Sequence, residues 1–233
     1  MTRTHTTACH PASLPVFGPT TVIMADEHLY TYGVIDGADR ELAVDGVAGA
    51  TRLYTVEYRT LSAVVSDIDT LEPEQTDENL RAHDEALQTI MDLEDVEAVV
   101  PMRFGMVFKS ARPLKNVLRG SRSVLTRTLN DIEGTVEMGL KLVAEEGVTV
   151  DRESVREDVS GRLRGVSVEE TENGLFSDRL VLNRSYLVER DDREAFDAAI
   201  AGIEDEYGGS LITQYTGPWA PYNFVDLEIG VDR

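Results

Sequence analysis

The chain has 233 residues, 42% apolar and 28% charged, and its 43 acids against 22 lysines and arginines leave a net charge of −21. That length supports a buried core in one large domain or two small ones, and no apolar run approaches the roughly 18 residues needed to cross a bilayer. General binding to nucleic acid or to an anionic membrane is disfavoured, because the chain has no large cationic field.

The basic residues are skewed: only Lys109, Lys115 and Lys141 are lysines. Self-repulsion of this size opposes a compact chain at low salt, and a Debye length of about 3 Å at 1 M removes the penalty. The composition reads as a cytosolic protein of a high-salt organism, against the alternative of an acidic mesophilic one. Cys9 is the single cysteine, so the chain can form no internal disulfide and no cysteine-based zinc site. The histidines, His5, His10, His28 and His83, show no ligand spacing on a common element. No metal and no cofactor are expected.

Residues 1–25 read as an N-terminal arm, disordered or upstream of the true start. The stretch holds prolines and threonines but no continuous apolar centre, so it is not a secretory signal. Translation from Met24 would enter a strand at once.

His28–Ile35 is aromatic and β-branched and predicts a strand. A glycine-rich loop follows. Thr51–Tyr58 and Leu61–Ile68, split by Arg59-Thr60, predict a hairpin. Thr76 caps a helix with Asp77 and Glu78 in its first turn, and Leu80, His83, Leu87, Ile90 and Met91 form its apolar stripe. The segment VEAVVPMRFGMVF predicts a strand pair or one bulged strand, with Pro101 marking an edge. One helix is predicted over Arg112–Ile132, with Leu114, Leu118, Ser121, Leu125 and Leu129 as its apolar stripe.

The strand TVEMGLKLVAEE opens the second half. A variable, charged segment at about 147–178 reads as a loop, helical in part over Asp151–Leu163. Leu180–Glu189 predicts a strand and Asp191–Tyr207 a helix. A strand, the turn Gly-Pro-Trp-Ala-Pro-Tyr and a short final strand close the chain. The mixture of hairpins and strand–helix–strand units gives class α+β, and the strand from Thr135 is where a second domain would open.

No catalytic motif is present. The glycines of GVIDGADRELAVDGVAG fit neither a dinucleotide nor a phosphate loop, and no H-E-x-x-H, G-x-S-x-G or C-x-x-C occurs. His83, on an apolar stripe, reads as a hydrogen-bonded packing histidine ahead of a catalytic or switching one. Trp219 reads as a core plug. Arg103, between hydrophobes, is expected to turn toward an acid such as Asp84 or toward backbone carbonyls. Gly105 permits a bend or a close approach.

From Pro101 to Asn130 there are seven cations and no acid. Arg112, Lys115, Arg119 and Arg122 line one side of the second helix. Two readings fit: a docking face for an acidic partner protein, or internal compensation against acids such as Asp151 to Asp158.

Three stretches together, LYTYGVID, VVPMRFGMVF and YTGPWAPYNFV, resemble the gas vesicle protein F/L family in order and spacing, from about Leu29 to Val225. NRSYLVERDDREAFDAAI resembles the same family's second-domain strand and helix. The acidic composition is similar to that of a haloarchaeal member. The resemblance implies two α+β domains, 26–133 and 134–233, the second a modified ferredoxin-like unit. It implies an accessory or minor structural protein that binds the hydrophobic gas vesicle shell protein and other accessory gas vesicle proteins. It implies no enzyme activity, no cofactor and no small-molecule ligand. The rival class is a small-molecule-binding or enzymatic ferredoxin-like protein.

Overall fold

The computed structural model describes residues 27–37 and 39–226. The expectations for the N-terminal arm, the Met24 start and Cys9 lie outside the described residues, apart from the arm's boundary with the first strand.

Strand β1 (His28–Asp36) organises the first sheet. It pairs antiparallel with β4 (Leu61–Ile68) on one edge. On its other edge lie β5 (Val99–Pro101) and β6 (Val107–Phe108). Beyond β4 come β3 (Leu53–Tyr58) and the two-residue β2 (Glu41–Leu42), completing the order β2-β3-β4-β1-β5.

Helix α1 (Asp77–Met91) covers one face of this sheet. Thr76 caps it, its side chain accepting from the Asn79 N–H, as the sequence predicts. Its core side includes Ala86, Leu87 and Ile90. Helices α2 (Ala111–Gly120) and α3 (Arg122–Asp131) cover the other face through Leu114, Leu118, Leu125 and Leu129. The single predicted helix is therefore two. The break falls at Ser121, whose φ of −95° and ψ of 7° leave the helical region. A Gly-Ser pair is a common site for such a kink, and Gly120-Ser121 supplies one.

Because both faces are covered, β1 is buried almost throughout. Its side chains do not simply alternate. Tyr30 and Tyr32 face α1, but beyond them Val34 faces the α2 and α3 side and Ile35 faces α1. A bulge between Thr31 and Gly33 causes this inversion, since one inserted residue flips all later side chains to the opposite face. Opposite the bulge, the neighbouring edge also breaks. Met102 N–H donates to Tyr32 O and Thr31 N–H to Met106 O, so residues 103–105 loop outward between β5 and β6. Of the two expectations for this segment, a strand pair or one bulged strand, the structure has two short strands, both on one side of β1.

The second sheet has the order β10-β7-β9-β8, all antiparallel. Its strands are β7 (Thr135–Ala144), β8 (Glu169–Glu172), β9 (Leu180–Glu189) and β10 (Leu211–Trp219). Helix α4 (Arg152–Leu163) follows β7, and α5 (Arg193–Tyr207) follows β9. Both pack on one face, against Met138, Leu140, Leu142, Tyr186 and Val188. Helix α4 falls where the sequence predicts a helical part, over Asp151–Leu163, whereas strand β8 lies in the remainder of that segment, expected to be loop. After β10 the chain forms a single 3-10 turn, Tyr222–Phe224, where the sequence reading ran toward a final strand. One apolar cluster runs from the α1 side of the first sheet to the helical side of the second, so the core is continuous across residue 134.

The close approach at the bulge gives a direct test. A Cβ on Gly33 would lie 2.9 Å from Val99 Cγ1 and 3.0 Å from Val100 O. The backbone oxygen cannot swing away, so β1 and β5 must separate. Gly33→Ala is expected to lower stability by about 1–3 kcal/mol, read by denaturant unfolding at fixed high salt.

Candidate functional site

The loop between β5 and β6 meets α1 and the C-terminal turn at one buried histidine. His83 is 2% exposed. Its ring stacks on Tyr32 at a centroid distance of 5.7 Å and meets Tyr30 and Phe104 edge-on at 5.6 and 5.9 Å. The Tyr30 hydroxyl accepts from Gly105 N–H at 3.3 Å and donates to His83 Nδ1 at 2.8 Å. With Nδ1 accepting, the neutral ring carries its proton on Nε2. That atom lies 2.8 Å from the Tyr222 hydroxyl and 3.1 Å from Met102 O. Tyr222 in turn reaches Met102 O at 3.4 Å. The Tyr32 hydroxyl accepts from Val47 N–H at 2.9 Å and pairs with Ser66 Oγ.

Burial lowers the His83 pKa to about 4, outweighing the Met102 carbonyl, which favours the charged form. Burial also raises the phenols of Tyr30 and Tyr222. The cluster is therefore neutral at physiological pH and its polar groups satisfy one another. It joins β1, α1, the 102–106 loop and residue 222. The unfolded ring titrates near 6.5 and the folded ring near 4, so the folded state binds fewer protons in between. The contribution is complete above 6.5 and is lost as pH falls toward 4. At about 1.4 kcal/mol per pKa unit it is of order 3 kcal/mol. His83→Gln is expected to flatten the loss of stability between pH 6.5 and 4, measured by denaturant titration at constant salt.

Arg103 sits at the apex of the loop and is exposed. It makes no ion pair within 4.0 Å among the described residues, with Asp84 or any other acid. The expectation of a strand-centre arginine seeking a buried acid is corrected: the strand is interrupted there, and the guanidinium stays in water. Arg103→Met is expected to change stability by less than about 0.5 kcal/mol. Gly105 has φ +85° and open space where a Cβ would be, so it serves the bend and not a close approach. Pro101 ends β5 opposite Gly33, on the edge where a missing N–H breaks no ladder.

The basic residues fall into two groups. Arg112, Lys115 and Arg119 are exposed on α2. Arg122 lies past the kink, half-buried, its Nε without a partner among the described residues. None of the four forms an ion pair with a described acid. Asp158, named as a compensating acid, instead pairs with Arg162 at 2.9 Å and accepts from Tyr207.

Among the described residues no helix covers the other face of the second sheet. A cleft of about 210 Å³ opens there, lined by Glu137, Lys141, Asn183, Gln214, Thr216 and Trp219. Asn223 holds the Glu137 carboxylate of this lining, donating from N to Oε2 at 2.9 Å and from Nδ2 to Oε1 at 2.5 Å. Trp219 is 45% exposed, which corrects its assignment as a core plug. The register shift between Thr216 and Trp219 sets the indole opposite Glu137, on this open face. Phe176, 77% exposed, stands with its ring centroid 5.7 Å from Lys141 Nζ.

Among the described residues no group of three or more His, Cys, Asp or Glu could hold a metal ion. No described helix is long and apolar enough to cross a membrane. The tyrosines and Phe104 of the His83 cluster escape sequence reasoning. Their signal is the aromatic content of the three stretches quoted above, each of which supplies at least one member.

A mixed α/β protein of two antiparallel sheets, joined through a neutral aromatic cluster, is the class this geometry defines. The family model described as gas vesicle synthesis protein GvpL/GvpF matches residues 28–152 and 143–226, and the chain belongs to that family. It is 58% identical over 207 residues to gas vesicle protein F of Haloferax mediterranei, covering 89% of this chain and 97% of that protein. Gas vesicle protein F1 of Halobacterium salinarum gives the same identity and coverage. The crystal structure of GvpF from Anabaena superposes with a TM-score of 0.78 at 17% identity, over 87% of this chain and 97% of that one. GvpF from Microcystis aeruginosa gives 0.77 at 16%, over 86% and 99%. These structures share the fold.

Proposed function

We propose that this protein is an accessory or minor structural component of gas vesicle assembly. It binds the hydrophobic shell subunit and other accessory gas vesicle proteins, either keeping the subunit soluble or nucleating its assembly. The family match along the described chain carries the reading. The 56–58% identity to haloarchaeal F proteins favours an F-type role over an L-type one. The same reading places the protein in the cytoplasm, associated with gas vesicles, and the gas vesicle names of its relatives support it.

The physics supports a holder of this kind. A wall subunit that presents apolar surface to gas aggregates before assembly unless that surface is covered. A partner of charge −21 keeps the complex dispersed. Exposed Phe176, Trp219 and Ile212 offer apolar contact on or beside the open face of the second sheet. The exposed cations of α2 suit a second, acidic partner. At 1 M salt the Debye length is about 3 Å, so in high salt this face acts through contact ion pairs and not through a long-range field.

The division into domains at 133/134 belongs to the same proposal. The second unit reads as ferredoxin-like, supported by its βαββαβ element order and the strand order β10-β7-β9-β8.

Co-purification with the shell subunit at 2 M salt or above tests the reading, since no association while both proteins remain folded rejects it. Reversing the α2 cations in an Arg112→Glu, Lys115→Glu, Arg119→Glu variant is expected to leave the fold and shell binding intact. Binding of an acidic accessory protein should weaken at least tenfold, measured by pull-down.

A further inference from the structure

Among the described residues the two sheets present four edges, and three of them are blunted. In the first sheet β2 has two residues, and the opposite edge is split into β5 and β6 of three and two. In the second sheet β8 is four residues long and reads Glu-Glu-Thr-Glu. Short strands and edge charges are the usual protections against unwanted pairing. The fourth edge, β10, has nine residues and no charge. From Gly208 to Val225 the chain carries no charged residue, although 28% of all its residues are charged.

The hydrogen-bond phase of β10 shows which groups face outward. Glu145 N–H donates to Ser210 O, so Ser210 directs its backbone toward β7. Alternation along the register then turns Ile212, Gln214 and Thr216 toward β7, opposite Val143, Lys141 and Gly139. The N–H and C=O groups of Leu211, Thr213 and Tyr215 point out of the sheet. Among the described residues no backbone or side-chain group pairs with them. The side chains sort the same way. Leu211 and Tyr215 lie toward α5, where Tyr215 donates to Asp197 at 2.5 Å, while Gln214 and Thr216 line the open cleft.

We infer that the β10 edge takes up an extended, uncharged segment of a partner as a fifth strand of the second sheet. This rests on the proposed function and names where the shell subunit docks. The added strand would set alternate side chains toward the apolar rim of the cleft and toward α5. Helix α5 holds five acids against Arg193, so the partner's residues on that side are neutral or basic. The same helix argues against a second copy of this chain. Edge-to-edge pairing about a two-fold axis would set two α5 helices side by side on one face, acid against acid.

The test uses the full chain at high salt with purified shell subunit as the probe. Thr213→Pro removes an outward N–H and spares every bond to β7, and Ile212→Asp charges the edge while keeping all N–H groups. Circular dichroism establishes that each variant folds. Both should lower shell-subunit binding at least tenfold, and in the wild-type complex the Leu211, Thr213 and Tyr215 amides should gain hydrogen-exchange protection. Wild-type binding with unchanged variants and no new protection at these amides overturns the edge assignment and leaves the proposed function standing. Absence of wild-type binding rejects both. A wild-type dimer that Thr213→Pro converts to monomer assigns the edge to a second copy and overturns the inference.

Discussion

The bulge at Tyr32 is the constraint on which the first sheet depends. Strand β1 is paired along both edges and covered on both faces, so its side chains must satisfy two cores at once. The bulge lets it do so. It keeps Tyr30 and Tyr32 on the α1 side and then inverts the alternation, which brings Val34 to the α2 and α3 side. The partner edge breaks opposite it, and the resulting loop delivers Met102 O, Phe104 and Gly105 to the place where His83 arrives from α1.

That meeting point ties distant parts of the chain together through neutral hydrogen bonds. A −21 chain gains little from charge pairs at its centre. A buried ion pair would also have to offset its desolvation, an expense a neutral Tyr–His–Tyr relay largely avoids. The charges are accordingly kept outside. The ion pairs of the described residues, such as Arg40 with Asp95 and Arg162 with Asp158, lie at or near the surface. Tyr222 reaches His83 from the far end of the sequence and Asn223 grips Glu137 beside it, so the C-terminal turn fastens the second sheet to the first.

The second sheet is built differently, and the difference bears on function. Its helices shelter only one face, leaving a polar cleft with exposed aromatic residues at its rim. One of its edges is acidic and the other is neutral. In a protein whose surface is acidic almost everywhere, a long uncharged edge stands apart as a surface suited to contact, and the enrichment of aromatics around it has the character of an interface.

Much of this was legible in the chain by itself. The periodicities of His28–Ile35, Thr51–Tyr58, Leu61–Ile68 and Leu180–Glu189 gave strands, and Thr76 gave a helix start, because local patterns of burial and capping are local in cause. The three aromatic stretches carried the family, and the three residue groups they contribute meet at His83, which no spacing along the sequence reveals. Tertiary structure alone decided the fates of Arg103 and Trp219. Both lie in apolar runs, where sequence reads burial, yet a broken strand puts the first in water and a register shift turns the second onto an open face. Hydrophobic pattern fixes which residues can be buried. Bulges, edges and strand register fix which of them are, because a shift of one residue moves every later side chain to the other face.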